Sequence, residues 1–114
     1  MAPARLQRLL APSVTDIVFI LLAVTIPLLR AHQLLNSDGD LARHLRVGNY
    51  ILDHHGLFFH DFLSFTVFGK PFVPYEWLSE VIFALTNRVG GLPAVVILCG
   101  LIIASTYALV THFL

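Results

Sequence analysis

The closing stretch, Pro74 to Leu114, reads PYEWLSEVIFALTNRVGGLPAVVILCGLIIASTYALVTHFL. It reads as two helices separated at Gly90-Gly91. Proline suits a first helical turn, where its missing N–H costs nothing, and glycines commonly end a helix. The first piece, 74–89, then holds about 15 helical residues, or roughly 22 Å at 1.5 Å per residue. That is short for an unaided membrane span. It crosses if Phe72 to Tyr75 extend it or the bilayer thins locally, and otherwise it is re-entrant. The second piece, 92–114, is long enough to span. Gly100, Ala104 and Ala108 recur on one face of it, and small residues there let another helix approach closely. Gly and Ala are also simply common in membrane helices.

Composition agrees with membrane helices. The chain has 114 residues, 57% hydrophobic and 12% charged, about half the charged share of an ordinary soluble domain. Its mean hydropathy is +0.81. Residues 14–29 carry one charge, Asp16, and residues 89–114 carry none. A net charge of zero gives no electrostatic basis for nucleic-acid binding. Cys99 is the sole cysteine, which excludes an internal disulfide and any multi-cysteine metal site.

A further apolar run, 12–31, contains "PSVTDIVFILLAVTIPLL" and reads as the first membrane helix. Arg5 and Arg8 precede it as in a signal peptide, but "LLRAHQLLNSD" offers no clear cleavage site, so a retained helix is expected. Asp16 reads as an acid near the interface. The count of Lys and Arg by side is ambiguous, with Arg5, Arg8 and Arg88 against Arg30, Arg43, Arg46 and Lys70; the short tail, residues 1–11, with two arginines and no acid, favours the N-terminus inside. The long loop 32–73 then faces outward. The expected fold is an all-α membrane protein with about three membrane helices, one short or re-entrant, plus an interfacial helix in the first external loop. The expected location is the bacterial inner membrane.

In that loop, "SDGD" (37–40) resembles a capping box before a helix over about 39–53. Leu41, Leu45, Gly48 and Leu52 recur at helical spacing, the pattern of a helix lying along an interface. Asp38 and Asp40 suit the positive helix start, and Asp40 is also placed to pair with His44 one turn on. A catalytic role would require a carboxylate directed at substrate. His54, His55, His60 and Asp61 supply ligand types for a metal without an established spacing. His32 and His112, near membrane-helix ends, are of a type that ligates haem or pigment, or hydrogen-bonds a neighbouring helix. The segment 63–68 alternates as a short extended piece that turns at Gly69-Lys70. Its many phenylalanines call for burial in the interface or against protein. Glu80 lies one turn deeper than Glu76 on the same helix face. An acid at that depth is functional by default, or it remains in the headgroup layer.

The run "DGDLARHLRVGNYILDHHGLFFHDFLSFTVFGKPFVPYEWLSEVIFALTNRVGG" resembles the amino-terminal part of bacterial polytopic membrane proteins of the GT-C glycosyltransferase class. The resemblance covers about 36–95. It implies that Asp38 or Asp40 matches the catalytic carboxylate of the first external loop, acting as base while a polyprenyl-phosphate-linked sugar donates. It also allows a divalent metal, for which no residue is carried over; otherwise no cofactor is expected. The family has many more spans, and its donor site is built from the later ones. The expected role is therefore a small membrane subunit that packs against lipid and other membrane helices in a larger assembly. The alternative is the front segment of such a glycosyltransferase.

Overall fold

The computed structural model describes residues 11–37 and 39–114. The tail arginines Arg5 and Arg8, and Asp38, lie outside the described residues. Among the described residues there are three helices and no strand: α1 (Val14–Asn36), α2 (Leu41–His54) and α3 (Trp77–Phe113). Two of them, α1 and α3, are long and apolar enough to cross a membrane.

Helix α1 starts with a reciprocal cap. The Ser13 hydroxyl accepts from the Asp16 amide at 3.1 Å, while the Asp16 carboxylate accepts from the Ser13 amide and hydroxyl at 2.8 and 2.7 Å. This is capping-box logic with Asp in the acidic position. Asp16 thus has a structural task beyond lying near an interface. Over its 23 residues α1 buries none. Ile17, Ile20, Leu21, Val24, Leu28 and Leu29 are all exposed.

Helix α2 runs from Leu41, with Asp40 at its N-cap, to His54. Asp40 makes no capping hydrogen bond through its side chain, contrary to the capping expected of that residue. Its backbone is already helical (φ −82°, ψ −12°), whereas a side-chain cap typically needs the β region to swing the carboxylate over the first amides. The Ser37 hydroxyl turns the other way and donates to the Gln33 carbonyl. The helix ends at His55 in the left-handed region (φ 51°, ψ 34°).

Helix α3 is helical throughout except at Gly91, where φ is 66° and ψ −167°. This backbone region is essentially restricted to glycine. The two expected pieces therefore meet at one kinked residue, with Pro93 just beyond it. The helix begins at Trp77 rather than at Pro74. The Glu76 carbonyl accepts from the Glu80 amide at 3.1 Å, so Glu76 sits at the cap.

The chain divides into two compact units. The first comprises the described part of Met1–His32 with Val96–Leu114. There Gly100 takes up α1: a Cβ at Gly100 would stand 2.7 Å from Pro27 Cγ. Ala104 and Ala108 are buried on the same face.

The second unit is Gln33–Val95. Its core gathers Val47, Ile51 and Phe58, with Tyr50, Phe62 and Phe72 packed around them. The buried stripe of α2 is His44–Val47–Gly48–Ile51, half-buried at His44. The expected apolar face through Leu41, Leu45 and Leu52 is only partly covered. A hydrophobicity pattern passes over His44, yet this polar residue lies on the covered side.

The loop folds back as a hairpin without forming strands. Phe72 N–H donates to the Phe59 carbonyl and Asp61 N–H to that of Lys70, at 2.9 and 2.8 Å. Lys70 N–H closes a turn on the Val67 carbonyl at 3.0 Å, with Gly69 at φ 76°. A type II turn requires that positive φ at its third residue. The extended piece expected at 63–68 is bent instead, because Asp61 captures the Leu63 and Ser64 amides. Such local bonds compete with ladder formation. Phe58 stacks on Phe72 and Tyr50 on Phe62, with centroids 5.3 and 4.3 Å apart. Part of the aromatic loop is therefore consumed by the protein's own core, while Phe65 and Phe68 remain exposed.

Candidate functional site

The polar centre of the second unit follows from one glycine. At Gly48 an added Cβ would overlap the Glu80 carbonyl group and stand 2.8 Å from Ala84 Cβ. The α2 backbone thus lies directly on the α3 backbone, and only a residue without a side chain permits it. One turn before Gly48 along α2, His44 is carried against α3. Glu76 at the cap of α3 and Glu80 in its first turn are four residues apart, the spacing that places two side chains on one helix face.

The result is a compact cluster. His44 Nδ1 stands 3.3 Å from Glu80 Oε1 and 3.7 Å from Glu76 Oε2. The Arg43 guanidinium donates to Glu76 Oε2 at 3.2 Å and lies 3.6 Å from Glu80 Oε1. Behind it, Arg43 Nε is 3.7 Å from Asp40 Oδ1. Glu80 is 2% exposed. A buried carboxylate is costly unless it is paired, and here its neighbours are the guanidinium and the imidazole. With His44 neutral, three carboxylates face one guanidinium, so the cluster is formally anionic and suited to a cation. Among the described residues, His44, Glu76 and Glu80 form a set whose nitrogen and oxygen donors all lie within 4.8 Å of one another.

The residues singled out by sequence are distributed otherwise. Glu80 belongs to the cluster, and Asp40 borders it through Arg43. Gly100, Ala104 and Ala108 lie in the first unit, on the face described above. Of the four metal candidates of the loop, His54, His60 and Asp61 border one open cleft, but among the described residues no three of the four bring their donor atoms within ligating reach of one another. His54 stacks on Tyr50 (3.9 Å) and contacts the Tyr50 carbonyl through Nδ1. His55 turns the chain, His60 pairs with Pro71 in an isolated bridge, and Asp61 is spent on Leu63 and Ser64. The Ser64 amide and hydroxyl, and then the Leu63 amide, hold the Asp61 carboxyl below its ordinary value. His112 packs edge-on against Phe113 at 5.3 Å, and His32 lies within α1.

Arg43, His44 and Glu76 were not singled out by sequence reasoning as site residues. The available signal was the i, i+4 glutamate pair together with a histidine one turn before a helical glycine. A second feature of this unit is an open cleft of about 500 Å³ bordered by Tyr50, His54, Phe58, Phe62 and Phe68. It is the larger hollow, and His60 and Asp61 also border it, but the ligand set that converges among the described residues lies elsewhere, at His44, Glu76 and Glu80. A smaller cavity of about 100 Å³ is bordered by Arg43, Phe58, Phe62 and Phe72. Compared with protein-family models, curated proteins and solved structures, the chain matches none.

Proposed function

We propose that the chain is an integral membrane protein that packs within a larger membrane assembly, with α1 and α3 crossing the bilayer. One observation carries this reading: α1 buries none of its 23 residues although its surface is apolar. At 1.5 Å per residue it is roughly 34 Å long, which matches a hydrocarbon core of about 30 Å. Lipid and neighbouring helices supply the cover that the chain itself lacks. The positive-inside tendency puts the N-terminus in the cytoplasm of a bacterial cell and the 32–73 loop outside. Purification in mild detergent tests the assembly role. The chain is expected to co-migrate with larger partners, and a monodisperse, partner-free chain refutes that role. Release of the chain from membranes by alkaline washing refutes membrane integration itself.

A second reading, the front segment of a lipid-linked-sugar glycosyltransferase, is favoured by one observation. The Asp40 side chain is 57% exposed while Arg43 stands 3.7 Å away, so its carboxylate is both accessible and oriented. Asp40→Asn in the complete membrane system is then expected to abolish transfer from a polyprenyl-phosphate sugar. Unchanged transfer with both Asp38 and Asp40 replaced rejects this reading.

A further inference from the structure

We propose that His44 Nδ1, Glu76 Oε2 and Glu80 Oε1 form a binding site for a divalent transition metal of zinc type, with water completing the coordination. These ligands are distinct from the loop histidines and from Asp38 and Asp40.

The distances that pair these groups also fit metal ligation. Charge-assisted hydrogen bonds draw nitrogen and oxygen to about 2.7–2.9 Å. The contacts here are longer: 3.2 and 3.6 Å from Arg43 to Glu76 and Glu80, 3.3 and 3.7 Å from His44 to Glu80 and Glu76. Zinc bonds to His and carboxylate are about 2.0–2.2 Å, so two ligands of a tetrahedral centre stand roughly 3.3–3.5 Å apart. The spacing of the imidazole nitrogen from the two carboxylate oxygens is close to those edges.

The donor set is chemically apt. Imidazole and carboxylate together suit zinc and its neighbours in the first transition row. Two carboxylates and a neutral imidazole carry two negative charges, which a dication balances. Arg43, donating to Glu76 Oε2 and lying beside Asp40, then acts as the outer partner that orients a ligating carboxylate. The ligands are also held in place. Glu80 is buried, His44 is half-buried with its ring edge-on to Phe83 at 6.4 Å, and both elements are locked together at Gly48.

The test uses the full chain in mild detergent, stripped by chelator and titrated with Zn²⁺, then with Co²⁺ for its visible absorption. One equivalent per chain is expected. Outer partners of a metal are typically worth 10–100-fold in affinity, so loss of a direct ligand is expected to weaken binding by more than about 100-fold. Glu76→Gln is the decisive variant, because Glu76 is half-exposed at the helix start and its replacement leaves the fold intact, as circular dichroism will verify. His44→Ala is expected to act in the same way, whereas His54→Ala and His60→Ala leave the titration unchanged. No stoichiometric binding overturns the proposal. So does binding that survives the Glu76→Gln/His44→Ala pair, which identifies adventitious loop histidines.

Discussion

Replacing Gly48 by alanine sets two opposed effects against each other. Alanine is favoured over glycine inside a helix by about 1 kcal/mol. The new Cβ, however, would lie 2.5 Å from the Glu80 carbonyl carbon and 2.8 Å from Ala84 Cβ. Carbon atoms pack best at about 3.5–4.0 Å, so the overlap is on the order of 1 Å. One of the obstructing groups is backbone, which has no rotamer to change, so α2 must lift away from α3. Overpacking of this kind costs about 1–3 kcal/mol, at times more, and it outweighs the helix-propensity gain. Because the obstruction is backbone, the cost falls at the upper end of that range, about 2–3 kcal/mol, so a net loss of about 1–2 kcal/mol is expected, and a unit of this size loses about 4–8 °C in Tm per kcal/mol. The sole tryptophan, Trp77, opens α3 and reports the transition by fluorescence during heating in mild detergent. Gly39→Ala is the control, since a Cβ there meets nothing within 4 Å; it should stay within about 0.5 kcal/mol of the parent. A Gly48→Ala protein that melts at or above the parent temperature would refute the close crossing and, with it, the positioning of His44 against Glu80.

Two further outcomes test separate elements. Asp61, whose folded carboxyl lies below its ordinary 3.8, contributes loop stability that is fully present above that value and is lost as pH falls through the lower folded one. Near-UV circular dichroism of the aromatic loop should show this acid limb, and Asp61→Asn should remove it; an unchanged limb would assign the transition to another acid. Gly91→Ala forces a side chain into a glycine-only conformation (φ 66°, ψ −167°) and should cost about 1–3 kcal/mol. A thermal melt equal to the parent's would show that the kink is not required.

What the sequence disclosed and what it hid differ in range along the chain. The apolar run of α1, the break at Gly91 and the turn at Gly69 are written in neighbouring residues, and local chemistry is enough to read them. The Asp40 cap failed as an expectation because capping depends on a backbone angle that residue type does not determine. His44 and Glu80 are 36 residues apart, and nothing near either one announces the other. Their meeting depends on Gly48 as a contact surface, whereas a hydrophobic periodicity counts glycine only as a weak apolar position. The aromatic loop was legible as needing cover, but not as covering the core of its own unit.

The pairing across α2 and α3 bears on how the chain is made. An ionised acid in the middle of an inserting helix opposes insertion by about 2.5–3.5 kcal/mol, and less toward the ends. Glu80 lies in the first turn of α3, and its counter-charge Arg43 stands on α2, which precedes it in the chain. With α3 inserted in the bilayer as proposed, synthesis from the amino terminus delivers the guanidinium before the carboxylate needs it. Moving Arg43 to a position after α3 would keep the composition and reverse that order, leaving Glu80 to meet the insertion machinery without its counter-charge.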